Sequence, residues 1–329
     1  MKTHEELIAR LAQRRSAKLG NLSKSGFEEL LRAVQAKPKS FIDDPRDEAF
    51  SLLIDALERY EKSAENADFI DADNAFFAAR SRRLNRLISD CDRALAIDEN
   101  CADASLCKLL AQDLQGDDLI EKLITLRQNL AHNIESEPLL GTHDDNEDVW
   151  DDVFTHGMLR VQSALSRALF DTARYSMAED ACRQLLDMAP SDMLGARHTC
   201  ALTLARLENE EAFDELDVHY GRHGDSWSHL ARVILLFKLD RISAAKRALL
   251  GYSNLVEGGA YALLRPVLVD TYIPDRPELP ACSFSEATLA AHEADPIIVD
   301  TPDLVPWAEE IPQINSAARN WAEQNGFDW

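Results

Sequence analysis

Residues 159–192 read LRVQSALSRALFDTARYSMAEDACRQLLDMAPSD, and this stretch decides the fold. Leu159, Ala164, Leu165, Ala168 and Leu169 recur at three- and four-residue spacing, which places them on one face of a helix. Ala178 and Cys182 mark the inward face of a second helix. Pro190 closes the unit, because proline cannot continue a helix. Small residues, Ser166 and Ala178, stand where two helix backbones must approach. The stretch therefore predicts an α-hairpin repeating every 34 residues or so.

The pattern extends in both directions. Residues 193–223 follow it loosely, with a turn at Glu208–Glu211. A further unit opens at Asp225, where Trp227, Leu230, Ala231 and Ile234 give W-x-x-L-[small]-x-x-[apolar], and Ala244 or Ala245 supplies the later small residue. Upstream, Arg93–Ala104 reads as the end of one unit and the start of the next. Helical periodicity predicts helices near 3–19, 26–36, 45–66, 68–96, 102–115, 117–135, 148–173, 176–188, 193–207, 209–220, 226–239, 241–251 and 257–270. Asp192, Asp225 and Asp240 sit where helix N-caps are expected. After 271, Pro274, Pro277, Pro280, Pro296, Pro302, Pro306 and Pro312 punctuate a segment expected to be largely irregular, with short helices near 285–294 and 314–325.

Taken together these units resemble the tetratricopeptide repeat family over 159–251, and more faintly over 68–135. The segment Ala189–Arg197 is similar to the inter-repeat turn of a bacterial subgroup. Only one unit has the tryptophan, only one the terminal proline, and Leu185 replaces a usual small residue. The expected fold is all-α: a tetratricopeptide-like helical hairpin array (an α-solenoid) with an irregular acidic C-terminal segment. The expected organisation is basic N-terminal helices (1–44), an N-terminal helical array (45–136), an acidic linker (137–147), the repeats (148–271) and a Pro-punctuated acidic, aromatic segment (272–329).

The resemblance implies a non-catalytic protein-interaction scaffold, with a peptide or protein bound in a concave groove lined by the first helix of each hairpin. Inner positions of the family fall on Arg160, Arg167 and Phe170, on Arg197, and on Arg232 and Leu235, which become the candidate partner-binding residues. Guanidinium forks suit carboxylates, and phenylalanine and leucine offer apolar contact, so the expected ligand is an acidic, aromatic peptide. Pairing of these arginines with neighbouring Asp or Glu is the alternative. The chain carries such a peptide itself: three of its five tryptophans, Trp307, Trp321 and Trp329, lie with Phe327 in its last 23 residues. That tail is expected to cap its own array, to dock on a partner, or otherwise to be disordered.

Composition narrows the remaining functions. With 58 acidic against 35 basic residues the formal net charge is −23, which repels nucleic acid and anionic membranes. Residues 1–40 run the other way, with nine Lys/Arg against four Glu, and Arg80, Arg82, Arg83 and Arg86 add a second basic turn. The alternative function is therefore a regulatory protein touching nucleic acid through its basic N-terminal helices. No phosphate-loop, dinucleotide-binding, H-E-x-x-H or G-x-S-x-G motif occurs, so neither an enzyme nor a cofactor is expected. The run His143–Asp148 with Asp151, Asp152 and His156 fits no calcium loop, and His219 with His223 lacks the further ligands zinc needs. Six cysteines without a C-x-x-C pair, the absence of an apolar leader and no apolar run long enough to span a bilayer point to the cytoplasm.

Overall fold

A computed structural model describes residues 3–20, 22–65, 73–136, 148–222, 224–267, 269 and 272–329. The predicted linker 137–147 and the first residues of the helix predicted at 68–96 lie outside the described residues. Among those described there are sixteen α-helices and no strand, and no helix is long and apolar enough to cross a membrane. The all-α class thus stands. The chain divides into two compact units.

The first unit comprises residues 1–164, 188–193 and 273–275. It contains α1 (Thr3–Leu19), α2 (Lys24–Ala36), α3 (Pro45–Glu65), α4 (Asp73–Leu95), α5 (Ala102–Ala111), α6 (Gly116–Ser136) and the opening turns of α7 (His156–Asp171). Ser23 starts α2 by accepting the Gly26 N–H, and Pro45 starts α3, where its missing N–H has no helical partner to lose. α3 packs on α1 and α4, and α4 on α5. Leu11, Phe50, Leu53, Ile54, Leu57 and Leu87 meet between them, each fully buried and stabilising the unit by about 1.5–3 kcal/mol. Burial in the same core pushes the Cys91 and Cys101 thiols up to about 12.

The helix predicted at 148–173 is shorter. A 3-10 turn at Val149–Asp151 precedes α7. Asp148 and Asp152 accept the N–H groups of Trp150 and Phe154, and the Thr155 hydroxyl donates to the carbonyls of Val149 and Asp152. These local bonds compete with the helical ladder and delay it.

A buried ionic cluster ties α1, α5 and α7 together. Arg160 donates to both carboxylate oxygens of Asp275 at 2.9 and 3.0 Å, to Asp103 at 2.8 Å and to Glu6 at 2.7 and 3.2 Å. Arg10 bridges Glu6 and Asp103 at 2.8 and 2.9 Å. His156 lies on the Trp150 ring, donates from Nε2 to the Trp150 carbonyl at 2.8 Å and places Nδ1 3.3 Å from Glu6. Burial opposes ionisation of Glu6, yet His156, Arg160 and Arg10 outweigh it and hold the carboxyl well below its usual range.

The second unit comprises residues 165–187, 194–272 and 276–329. After the close of α7 come α8 (Tyr175–Met188), α9 (Ala196–Arg206), α10 (Glu210–His219), α11 (Ser226–Lys238), α12 (Ile242–Leu255), α13 (Gly259–Leu264), α14 (Phe284–Val299), α15 (Leu304–Glu309) and α16 (Pro312–Asn325). α9 packs on α10 and on α11, and α11 on α12. Of the small residues expected at helix crossings, Ser166, Ala178 and Ala231 are buried, and of Ala244 and Ala245 the second is. Asp225 caps α11 by accepting the Ser228 N–H, and Asn209 caps α10.

Asp192 and Asp240 are not N-caps. Both have left-handed φ, +51° and +56°, as do Asp113, Ala173, Glu208, Arg222 and Cys282. The C-terminal segment is also not irregular, since α14, α15 and α16 occupy much of it. Pro312 sits in the first turn of α16, where it is tolerated, and Pro296 lies within α14 without ending it.

Removing Arg160 leaves Glu6, Asp103 and Asp275 without their shared partner. Arg160→Ala is expected to destabilise the first unit by about 3–5 kcal/mol. Urea unfolding followed by far-UV circular dichroism checks this.

Candidate functional site

The six residues singled out in the sequence do not form one surface. Arg160 belongs to the buried cluster of the first unit. Phe170 and Leu235 have no exposed surface, and Phe170 packs edge-on against Tyr175. Arg167 is mostly buried, paired with Asp171 at 2.7 Å and with Glu293 at 3.6 Å. Only Arg197 and Arg232 keep substantial exposure, at 26% and 34% of their side chains. The assignment of Arg160, Phe170 and Leu235 to an open groove is therefore corrected: their surface is covered from within the chain.

Two features of the second unit gather polar and aromatic side chains. The first is a small open pocket between α9, α10 and α11. Ala201, Phe213 and Leu216 make its apolar floor, and Arg197, Asp217, Tyr220, Asp225 and Ser228 its polar rim. The Arg197 guanidinium lies 5.6 Å from the Tyr220 ring centre, and that of Arg232 4.9 Å from the Phe213 ring centre. Arg232 donates to Asp214 and Asp217 at 3.0 and 3.1 Å, and Arg197 stands 3.6 Å from Asp225. Burial opposes ionisation of Asp225, but His198 and the Ser228 N–H and hydroxyl reverse the balance and draw its carboxyl well below the ordinary aspartate range.

The second feature is the seat of α14 on α9, α11 and α13. Glu286 accepts from the Ser226 N–H and hydroxyl at 3.1 and 2.6 Å and from the Cys282 N–H at 2.8 Å. Glu293 accepts from Trp227 Nε1 and the Tyr272 hydroxyl, both at 2.6 Å, and from Arg276 at 3.0 Å. Arg276 is itself positioned by donating to the carbonyls of Leu194 and Gly195 and to the Thr199 hydroxyl. Gly195 has φ +66°, and a Cβ there would meet the Arg276 guanidinium at 2.6 Å and the His198 ring at 2.8 Å, so glycine suits the backbone and lets both side chains come close. Burial raises the Glu293 carboxyl, but Arg276 and Arg167, with hydrogen bonds from Arg276 and Tyr272, hold it at about 2. Besides these charges, α14 buries only Leu289, Ile297 and alanines. The two large side chains stabilise its seat by about 1.5–3 kcal/mol each.

The aromatic tail packs within the same unit. Trp307 meets Phe237 with ring centres 4.9 Å apart, and Trp321 lies 4.0 Å from Phe284 and 5.0 Å from Phe327. Arg265 and Arg319 flank the Trp329 ring at 4.5 and 5.6 Å, and Tyr261 donates to the Asp328 carbonyl. Sequence reasoning missed Arg276, Glu286 and Glu293. The spacing of the two glutamates, Glu286-x6-Glu293, was the one local signal available.

The basic N-terminus is turned inward in part. Arg10 and Arg14 pair with buried acids, and Arg15 and Lys18 with Asp43. Of the candidate cation ligands, His143–Glu147 and His223 lie outside the described residues. Among those described, no group of three or more His, Cys, Asp or Glu is placed to hold a metal. Compared with family models, curated proteins and solved structures, the chain matches none.

Because the Glu293 carboxyl is depressed on folding, its contribution is present above the unfolded value of 4.5 and is lost as the pH falls toward about 2. Glu293→Gln is expected to lower stability at neutral pH and to flatten the acid limb of the stability curve across that window. Urea midpoints measured at a series of pH values check the difference between variant and wild type.

Proposed function

We propose that the chain is a non-catalytic protein-interaction scaffold whose second unit is a tetratricopeptide-like repeat array. The helix order supports the reading: α9 pairs with α10, α11 pairs with α12, and the first helices α9 and α11 pack on each other. Neither hairpin can bury its apolar face alone, so neighbours stack, and stacked hairpins make an extended binding surface. The buried Ala178, Ala231 and Ala245 are the close-approach residues such stacking needs.

The observation that carries the binding reading is the pair of ring-supported arginines, Arg197 on the pocket rim and Arg232 against Phe213 and Asp217 of its lining. Each arginine lies over an aromatic ring, Phe213 on α10 or Tyr220 at its C-cap, beside an apolar-floored pocket. Aromatic support fixes a guanidinium in place at little further entropic cost. A carboxylate of a partner peptide exchanges with Asp214 or Asp217 on Arg232, while a neighbouring apolar side chain covers the half-buried Leu216. The partner is accordingly a protein or peptide carrying an acidic residue next to an apolar or aromatic one.

The double variant Arg197→Glu/Arg232→Glu tests this. Both side chains are partly exposed, so the helical circular dichroism should persist. Capture of a partner from native cells by the immobilised chain is expected to fall at least about tenfold, equal to roughly 1.4 kcal/mol. Undiminished capture by the folded variant moves the site elsewhere.

A further inference from the structure

The seat of α14, built from α7, α11 and the segment leading into α14 itself, has the composition of a recognition surface. Trp227, Tyr272, Arg276 and Arg167 gather around Glu293, and tryptophan, tyrosine and arginine are the residues that dominate binding hot spots. Glu286, two helical turns earlier on the same face, is received by the first N–H and hydroxyl of α11. Ala287, Ala290 and Ala294 are buried along α14, short enough to let its backbone come close. What this face reads is a helix with a carboxylate at each of two positions two turns apart and small residues beside them.

The attachment is specific, and its ion pairs add less than their number suggests. Desolvation offsets much of the attraction in a buried ion pair, and the large apolar contacts are those of Leu289 and Ile297 and, at the first turn, of Phe284 with Trp321 and Phe327. Cys282, at the entry to α14, holds a left-handed φ of +56°, which a residue with a side chain adopts at a cost and sheds when the helix leaves. The covalent tether works the other way, since it keeps α14 at high effective concentration beside its seat.

We propose that this face is a second protein-binding site, selective for a partner helix bearing Glu-x6-Glu on an alanine-lined stripe, and that α14 is its tethered occupant in the free chain. The proposal does not depend on the pocket beside Arg197. A partner helix gains access by displacing α14, so its apparent affinity is reduced by the fraction of chains in which α14 is seated.

The probe is a labelled synthetic peptide of residues 281–301, titrated against the full chain and against the full-length variant Glu286→Ala/Glu293→Ala by fluorescence anisotropy. The expected result is binding to the variant at least tenfold tighter than to wild type, and loss of binding when both peptide glutamates are replaced by alanine. A variant that keeps its helical signal yet ignores the peptide overturns the proposal, as does a glutamate-free peptide that binds equally well. Hydrogen exchange on the wild-type chain decides independently, even if the variant fails to fold. Exchange of α14 amides ahead of those in α9 and α11 supports a detachable occupant, and exchange of all three only in one common event overturns it.

Discussion

A carboxylate withdrawn from water survives only where donors replace the solvent it has lost. Both units are organised around that requirement. In the first, Glu6 on α1 is shared by Arg10, Arg160 and His156, which recruits α7 to the N-terminal helix. In the second, Glu293 on α14 is shared by Trp227, Tyr272, Arg276 and Arg167. Apolar packing supplies most of the stability in each unit, but it is tolerant of small slips along a helix. A carboxylate that must meet three or four donors at once is not, so these two groups fix which turn of which helix faces which neighbour.

The same requirement explains why the arginines do not lie together on one open face. Arginine positioned by repeat register alone is expected on an inner surface. Arg160 instead faces Glu6, 154 positions away in the chain, and Arg167 faces Glu293. Arg197 and Arg232 remain near the surface because their closest partners, on α10 and at the start of α11, are themselves partly exposed or sit at a pocket rim. Two polar arrangements therefore coexist within the second unit: a partly open pair of ring-supported arginines, and a covered seat for two glutamates.

The helices were legible because their apolar residues repeat with a period that depends only on local geometry. Ala178 and Ala231, read as close-approach positions, are buried, and of Ala244 and Ala245, between which the pattern left the choice open, Ala245 is the buried one. α14 was underread because the prolines around it signal irregularity, and nothing local distinguishes Pro296, inside the helix, from Pro280, outside it. The seat of Glu293 was not legible at all. Its donors come from α7, α11 and the approach to α14, and no spacing along the chain expresses a meeting of segments so far apart. Likewise Asp192 and Asp240 carry the right side chains for helix starts, but their backbones are committed to turns.

Those turns have a consequence for the durability of the molecule. The chain has only twelve glycines, and it reverses direction at Asp113, Ala173, Asp192, Glu208, Arg222, Asp240 and Cys282 with residues that carry a Cβ in a region suited to glycine. Each such bend forgoes about 1 kcal/mol. The protein thus keeps a reserve of unclaimed thermostability in its loops, open to simple glycine replacement at Ala173 above all, whereas Asp113 also holds Arg80 at 3.0 Å.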